Sequence, residues 1–172
     1  MNYLLFKVVF KRVYELKIFT FLLFFTGISG CKLATGELKA RESEGRLRIG
    51  SMNRAQQAYF LENNEFTTQL DIQPDRQNYD SEIIPQSDKT EGVMHVAQAK
   101  REDIKSYLGL VYAVKVEGSD YKITIAQVCE SQANGSLSSI PEIQNLDKNL
   151  TKSEEIKCPS GFQSLNYTFE TR

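Results

Sequence analysis

The sequence predicts an α+β fold: one long N-terminal α-helix packed on a small antiparallel β-sheet, followed by a C-terminal loop pinned by a disulfide. Three observations predict it. A proline-free stretch from Leu33 to about Asn63 is rich in helix formers. Strongly alternating, β-branched segments follow it, and a pair of cysteines, Cys129 and Cys158, brackets the last irregular region. At 172 residues the chain has room for one domain and an N-terminal extension. Hydrophobic residues make up 41% and charged residues 25%, a globular balance that excludes disorder driven by charge. Lys and Arg number 21 against 22 Asp and Glu, so the net charge of -1 offers no field to gather nucleic acid, and none is expected as a partner.

The first thirty residues read as a signal peptide or membrane anchor, which makes 1–30 one segment and 31–172 one extracytoplasmic domain. Lys7, Lys11, Arg12 and Lys17 precede the apolar run Ile18 to Phe25, and small residues follow at Thr26-Gly27-Ile28-Ser29-Gly30. The apolar run falls short of the about 20 residues that cross a bilayer. Lys11, Arg12, Glu15 and Lys17 keep it from joining the apolar residues before Phe10. Ile28-Ser29-Gly30-Cys31 resembles a lipobox, the cut site of bacterial lipoprotein precursors, which makes Cys31 a candidate for lipidation. The plainer alternative is a cysteine at the end of an uncleaved anchor. With Cys31 set aside, Cys129 and Cys158 remain as an even pair in an exported domain, read as a disulfide or else as two buried free thiols.

Within the helix, Glu37 to Arg46 is polar all round and reads as a stem facing solvent or partner molecules. Ile49, Met52, Ala55 and Tyr59 then recur at intervals of three or four, with Phe60 beside them, forming a face for a sheet to cover. Gly45 and Gly50 each cost a helix about 1 kcal/mol relative to alanine, so they point to a bend or to close packing. Asn63-Asn64 ends the helix, and a loop runs from Glu65 to Pro74. Strands are expected over Tyr79 to Ile84, stopped by Pro85, and over Val93 to Ala99. Leu108 to Val116 and Tyr121 to Cys129 form a hairpin turned by Glu117-Gly118-Ser119-Asp120. Glu130 to Lys157 reads as a long loop, and Leu165 to Phe169 as a last short strand.

The run Gly50-Ser51-Met52-Asn53-Arg54-Ala55-Gln56-Gln57-Ala58-Tyr59-Phe60-Leu61-Glu62, followed by Asn64-Glu65-Phe66, closely resembles bacterial type IV pilin-like proteins of the G/H family. Lys105 to Tyr112 and Cys129-Glu130 extend the likeness over most of Glu37 to Glu130. The resemblance implies a long helix laid across an antiparallel sheet, export from the cytoplasm, and a role in pilus, pseudopilus or surface assembly with other pilin or envelope proteins as partners. It implies no catalysis and no cofactor. Prepilins of this kind carry glycine before the cleavage site, then Phe-Thr-Leu-Ile-Glu and a long apolar helix. Here Phe19-Thr20-Phe21-Leu22-Leu23 echoes that start, but Ile18 stands in the glycine's place, no glutamate follows, and the apolar segment stops at Cys31. A membrane-anchored domain, held by an N-terminal lipid or by its apolar segment and lying on the periplasmic or extracellular side, fits these residues better than a major pilin.

Candidate chemistry is sparse. His95, the single histidine, sits in a strand and reads as a packed residue. Ser106 and Ser119 lack a nucleophile-elbow context. One histidine and three cysteines do not supply four zinc ligands at the usual spacing. Asp71, Asp75 and Asp80 miss the spacing of a calcium loop and read as solvated charges. Lys100-Arg101-Glu102-Asp103 reads as a solvated connection, a turn or short helix before the strand at Leu108, and Tyr107, Tyr112 and Tyr121 as residues divided between the core and cross-strand packing. No catalytic, cofactor or metal residues are therefore expected. The reading that follows is a non-enzymatic, envelope-anchored structural or interaction protein of pilin-like fold, associated with type IV pilus or secretion-type assembly. The alternative is a periplasmic lipoprotein that binds a small ligand or peptide on the same scaffold.

Overall fold

The computed structural model describes residues 30–72, 77–143 and 155–165, with side chains from Thr35 onward. The chain divides into two units, Met1–Lys39 and Ala40–Arg172. Of the first, the described part is helical backbone from Gly30, with exposed side chains over 35–37 and 39. The second carries the sheet.

Helix α1 runs Gly30–Asn63, beginning before the expected Leu33 and ending where the Asn-Asn pair predicts. Asn64 closes it with a positive φ of 57°, a conformation that asparagine tolerates better than most side chains. Five strands follow: β1 (Tyr79–Pro85), β2 (Gly92–Ala99), β3 (Lys105–Lys115), β4 (Lys122–Asn134) and β5 (Phe162–Ser164). They form one antiparallel meander in the order β1-β2-β3-β4-β5. Every described neighbour in the sheet is also a neighbour in sequence; short connections join β1 through β4, and residues 135–161 separate β4 from β5.

Two strand expectations need correction. Strand β4 continues to Asn134 instead of stopping at Cys129, because Glu130 and Ser131 pair with β5 and Glu130 also pairs with Tyr107 of β3. Their polar side chains, which read as loop composition, find partners inside the sheet. The last strand is Phe162–Ser164, earlier than Leu165–Phe169; Leu165 lies just past it, its N–H donating to the Val128 carbonyl at 2.9 Å. Positions 166–169 lie outside the described residues.

The sheet is buried on both faces. Alternation along the strands sends Val93, His95, Tyr107, Gly109 and Val111 toward α1, and Met94, Val96, Leu108, Leu110 and Tyr112 the other way. On the helix side, Phe60 and Phe66 stack at 4.7 Å and pack with Val93 and Val111. On the opposite side the cover is irregular chain: Leu137, Ile140, Ile143, Ile156, Cys158 and Phe162 lie over Met94, Leu108, Leu110 and Tyr112. Burying each large apolar side chain contributes about 1.5–3 kcal/mol.

The helix face differs from the sequence expectation. Ile49 and Met52 are buried, but Ala55 and Tyr59 are only half-buried, and the stripe runs Gly45, Ile49, Met52, Asn53, Gln56, Phe60. Its spacing is helical, yet two of its central members are carboxamides, which an apolar periodicity passes over. The polar stem also ends sooner than expected. From Arg41 onward the helix engages the sheet: the Arg41 carbonyl accepts from the Tyr79 hydroxyl at 3.3 Å, and the Glu44 carboxylate accepts from Asn78 Nδ2 at 3.1 Å. Gly45 is a close-packing glycine. A Cβ there would lie 2.5 Å from Cζ of the buried Tyr79 ring, so only glycine lets the helix approach. Gly50 has no such neighbour, and nothing in the structure explains it.

Candidate functional site

The polar residues that the fold gathers lie in two places: a seam between α1 and the sheet, and a clasp where α1, β3, β4 and β5 meet. The seam is built on Gly109. A Cβ at that position would fall 2.2 Å from Asn53 Oδ1 and 2.8 Å from Ile49 Cγ2, so the bare backbone of β3 makes room for the helix residues above it. Asn53 Nδ2 donates to the Gln127 carbonyl at 3.2 Å, which turns Asn53 Oδ1 toward His95 Nδ1 at 2.9 Å. An acceptor facing the ring requires the proton on Nδ1. His95 Nε2 is then a buried lone pair without a partner among the described residues. Burial pushes the imidazole pKa down to about 3, so the ring is neutral at physiological pH. A second carboxamide, Gln56, holds the loop after α1: its Nε2 donates to the Thr67 carbonyl and its Oε1 accepts from the Thr67 N–H at 3.1 Å. Gln57 Nε2 reaches the Thr124 carbonyl at 3.2 Å.

The clasp centres on Glu130. Its Oε1 accepts from Lys105 Nζ at 2.8 Å and from Gln163 Nε2 at 3.1 Å, while Arg46 Nη2 stands 3.6 Å from Oε2. The Arg46 guanidinium also lies 6.0 Å from the centre of the Tyr107 ring. Desolvation pushes the Glu130 carboxyl up, but the hydrogen bonds from Lys105 and Gln163 and the charges of Lys105 and Arg46 outweigh it. The net effect holds the group below the usual carboxylate range. One carboxylate thereby ties the helix, two central strands and the C-terminal strand together. The family likeness includes Glu130, but no local pattern marks it as the centre of an ion-pair cluster, since Lys105 and Gln163 are 25 and 33 residues away in the chain.

The residues singled out from the sequence scatter. Cys129 and Cys158 form a disulfide with 5.7 Å between their Cα atoms, which excludes the free-thiol alternative. Cys31 lies in the first turns of α1, where side chains are outside the described residues. Ser106 is buried, donating to the Gly135 carbonyl and accepting from the Ala99 N–H; Ser119 accepts from the Tyr121 N–H in the hairpin turn. Asp71 is exposed and Asp80 pairs with Lys100 at 3.4 Å, while Asp75 is outside the described residues. Residues 100–104 form the expected turn, in which Arg101 grips Asp103 through two hydrogen bonds of 2.9 Å. Tyr107 and Tyr112 are core residues, and Tyr121 is 81% exposed.

Among the described residues no three of His, Cys, Asp or Glu gather closely enough to hold a metal ion. Asn53, Gln56, Gln57 and Glu130 spend their hydrogen bonds on groups inside the fold, an arrangement suited to fixing the helix on the sheet. A few large apolar side chains face outward. Leu47 and Leu61 on α1 are 65% and 72% exposed, and 14 residues put them about four turns apart on nearly the same side. Val116, Tyr121 and Ile123 expose a second apolar group around the β3–β4 turn. Among the described residues no helix is long and apolar enough to cross a membrane.

Comparison with known proteins adds one match. The family model of type IV pilin-like G and H proteins matches residues 42–159, from the helix through the disulfide. No curated protein and no solved structure matches the chain.

Proposed function

This chain belongs to the type IV pilin-like G and H family, and from that premise we propose that it is a non-enzymatic structural protein of the bacterial cell envelope, displaying one interaction domain beside a membrane and taking part in a type IV pilus or secretion-type assembly. The observation that carries this reading is the helix seated along Gly45, Ile49, Asn53, Gln56 and Phe60 on a five-stranded meander, in the stretch that matches the family. The polar groups of the seam and clasp are used in holding that arrangement. Contact with other pilin or envelope proteins would fall to the outward apolar residues Leu47, Leu61 and Tyr121.

In this reading the membrane is held through the N-terminal segment, by lipid on Cys31 or by the apolar run before it. The Cys129–Cys158 bond supports a position on the oxidising side of that membrane. Deletion of the chromosomal copy is expected to impair piliation, motility, secretion or DNA uptake. If all four stay at the parental level, the assembly role is wrong. The mass of the mature N-terminus tests the anchor separately: a diacylated or triacylated Cys31 is expected, and an unmodified Cys31 removes lipidation.

A further inference from the structure

The two faces of the sheet are covered by different means, and only one cover depends on a covalent bond. On the helix side, α1 is held by the Phe60–Phe66 stack and by Asn53, Gln56 and Gln57, whose partners lie in the loop after α1, in β2 and in β4. None of these contacts passes through the chain beyond Asn134; the clasp does link the two sides, since Glu130 pairs with Arg46 of α1 and accepts from Gln163 of β5, but its Arg46–Glu130 and Lys105–Glu130 pairs do not need β5. On the other side, the described parts of the cover, 135–143 and 155–165, contain a three-residue strand and little regular structure. They are fastened by the Cys129–Cys158 bond, by the β4–β5 pairs and by a few hydrogen bonds, such as Gln98 Nε2 to the Leu137 carbonyl at 3.3 Å. Beneath them lies a continuous apolar surface of Met94, Val96, Leu108, Leu110 and Tyr112.

We propose that the disulfide is a redox latch: reducing it releases the C-terminal strap and bares the apolar face of β2 and β3, while the helix stays docked on the other face. The geometry favours attack on one end. Cys129 is fully buried, whereas Cys158 is half-buried and follows the exposed Lys157, so a dithiol reductant meets the Cys158 sulfur first. The reductant's thiolate bonds to Cys158 Sγ, the disulfide bond breaks, and Cys129 leaves as a thiolate that takes a proton from water. The reductant's second thiol, as thiolate, then displaces Cys158, which is protonated in turn. The protein has gained two thiols and the dithiol has become a disulfide. Oxidation of the folded chain runs the sequence backwards and shuts the strap, so the face is concealed only where the surroundings are oxidising. This inference rests on the fold and stands apart from the assembly role.

The test compares oxidised protein with the same folded protein under a dithiol reductant, and with Cys158→Ser without reductant. Tryptic cleavage after Lys157 and hydrogen exchange resolved by segment are the readouts. Reduction is expected to speed that cleavage about ten-fold or more and to raise binding of an apolar dye, with exchange over Ile49–Phe60 changed less than about two-fold. Cys158→Ser should reproduce the reduced pattern. If it fails to fold, in-situ reduction of the native chain still decides. An unchanged cleavage rate overturns the proposal, and so does loss of protection in the helix and the strap together, which would make them one cooperative unit.

Discussion

The helix-side and strap-side faces of one sheet bury similar residues yet differ in what specifies them. Beneath α1 the contacts are directional: carboxamides reach backbone carbonyls, and Gly109 and Gly45 admit their neighbours by lacking a side chain. Beneath the strap the contacts are mostly apolar, and one covalent bond sets their position. Apolar packing is tolerant of sliding and repacking. Hydrogen bonds and close backbone approach are not, so the helix has one register on the sheet whereas the strap relies on its tether.

The largest perturbation of this contrast is on the helix side. Phe60→Ala removes a buried ring shared with Phe66, Val93 and Val111, and should lower unfolding stability by about 3–5 kcal/mol in denaturant titrations. The strap-side counterpart is slightly smaller. The disulfide closes a loop across a sequence separation of 29, and its loss is expected to remove about 3–4 kcal/mol by the chain-entropy model, with the damage concentrated after Asn134. A Cys129→Ala/Cys158→Ala chain that retained wild-type protection in the strap would erase the distinction between the faces.

Acid should act through both the seam and the clasp. His95 has a folded pKa of about 3 against an ordinary value of 6.5, so between these limits the unfolded chain binds a proton that the folded chain refuses. Stability is full above about pH 6.5 and falls by up to about 1.4 kcal/mol per pH unit as pH drops toward 3. Glu130 adds to the loss at the acid end: its lowered pKa stabilises the fold above the ordinary carboxylate value and ceases to as pH falls through the folded one. Melting midpoints of wild type and His95→Gln from pH 7 to pH 4 should converge as pH falls. Parallel curves would show that the imidazole is not the group responsible.

Gln56→Ala is expected to cost about 1–3 kcal/mol, because Thr67 loses both backbone partners at once, and to raise hydrogen exchange at Thr67 selectively. The smallest effect belongs to Lys115→Ala. Its pair with Asp120 is solvent-exposed on both sides, so the melting midpoint should not move measurably.

Legibility in the sequence followed the range of the interaction. The helix end at Asn63, the β3–β4 hairpin and the turn at residues 100–104 were readable because each is specified by propensity and by neighbours a few residues away. The Cys129–Cys158 pairing was readable by parity once Cys31 was set aside. The seam was not. Asn53 and Gln56 look like surface residues to any apolar periodicity, and they are buried because Gln127 and His95 meet Asn53, and Thr67 meets Gln56, with matching donors and acceptors, while Gly109 leaves room for the Asn53 side chain.

The chain by itself therefore determined one rod, a run of hairpins and a tethered C-terminal region, since periodicity and turn chemistry are local properties. Tertiary structure decided which residues of the rod face inward, that Glu130 and Ser131 belong to a strand, and that the sheet is covered on its second face. The physical reason is that a polar group's burial depends on the partner it meets, and those partners lie 11 to 74 residues away, beyond the reach of local patterning.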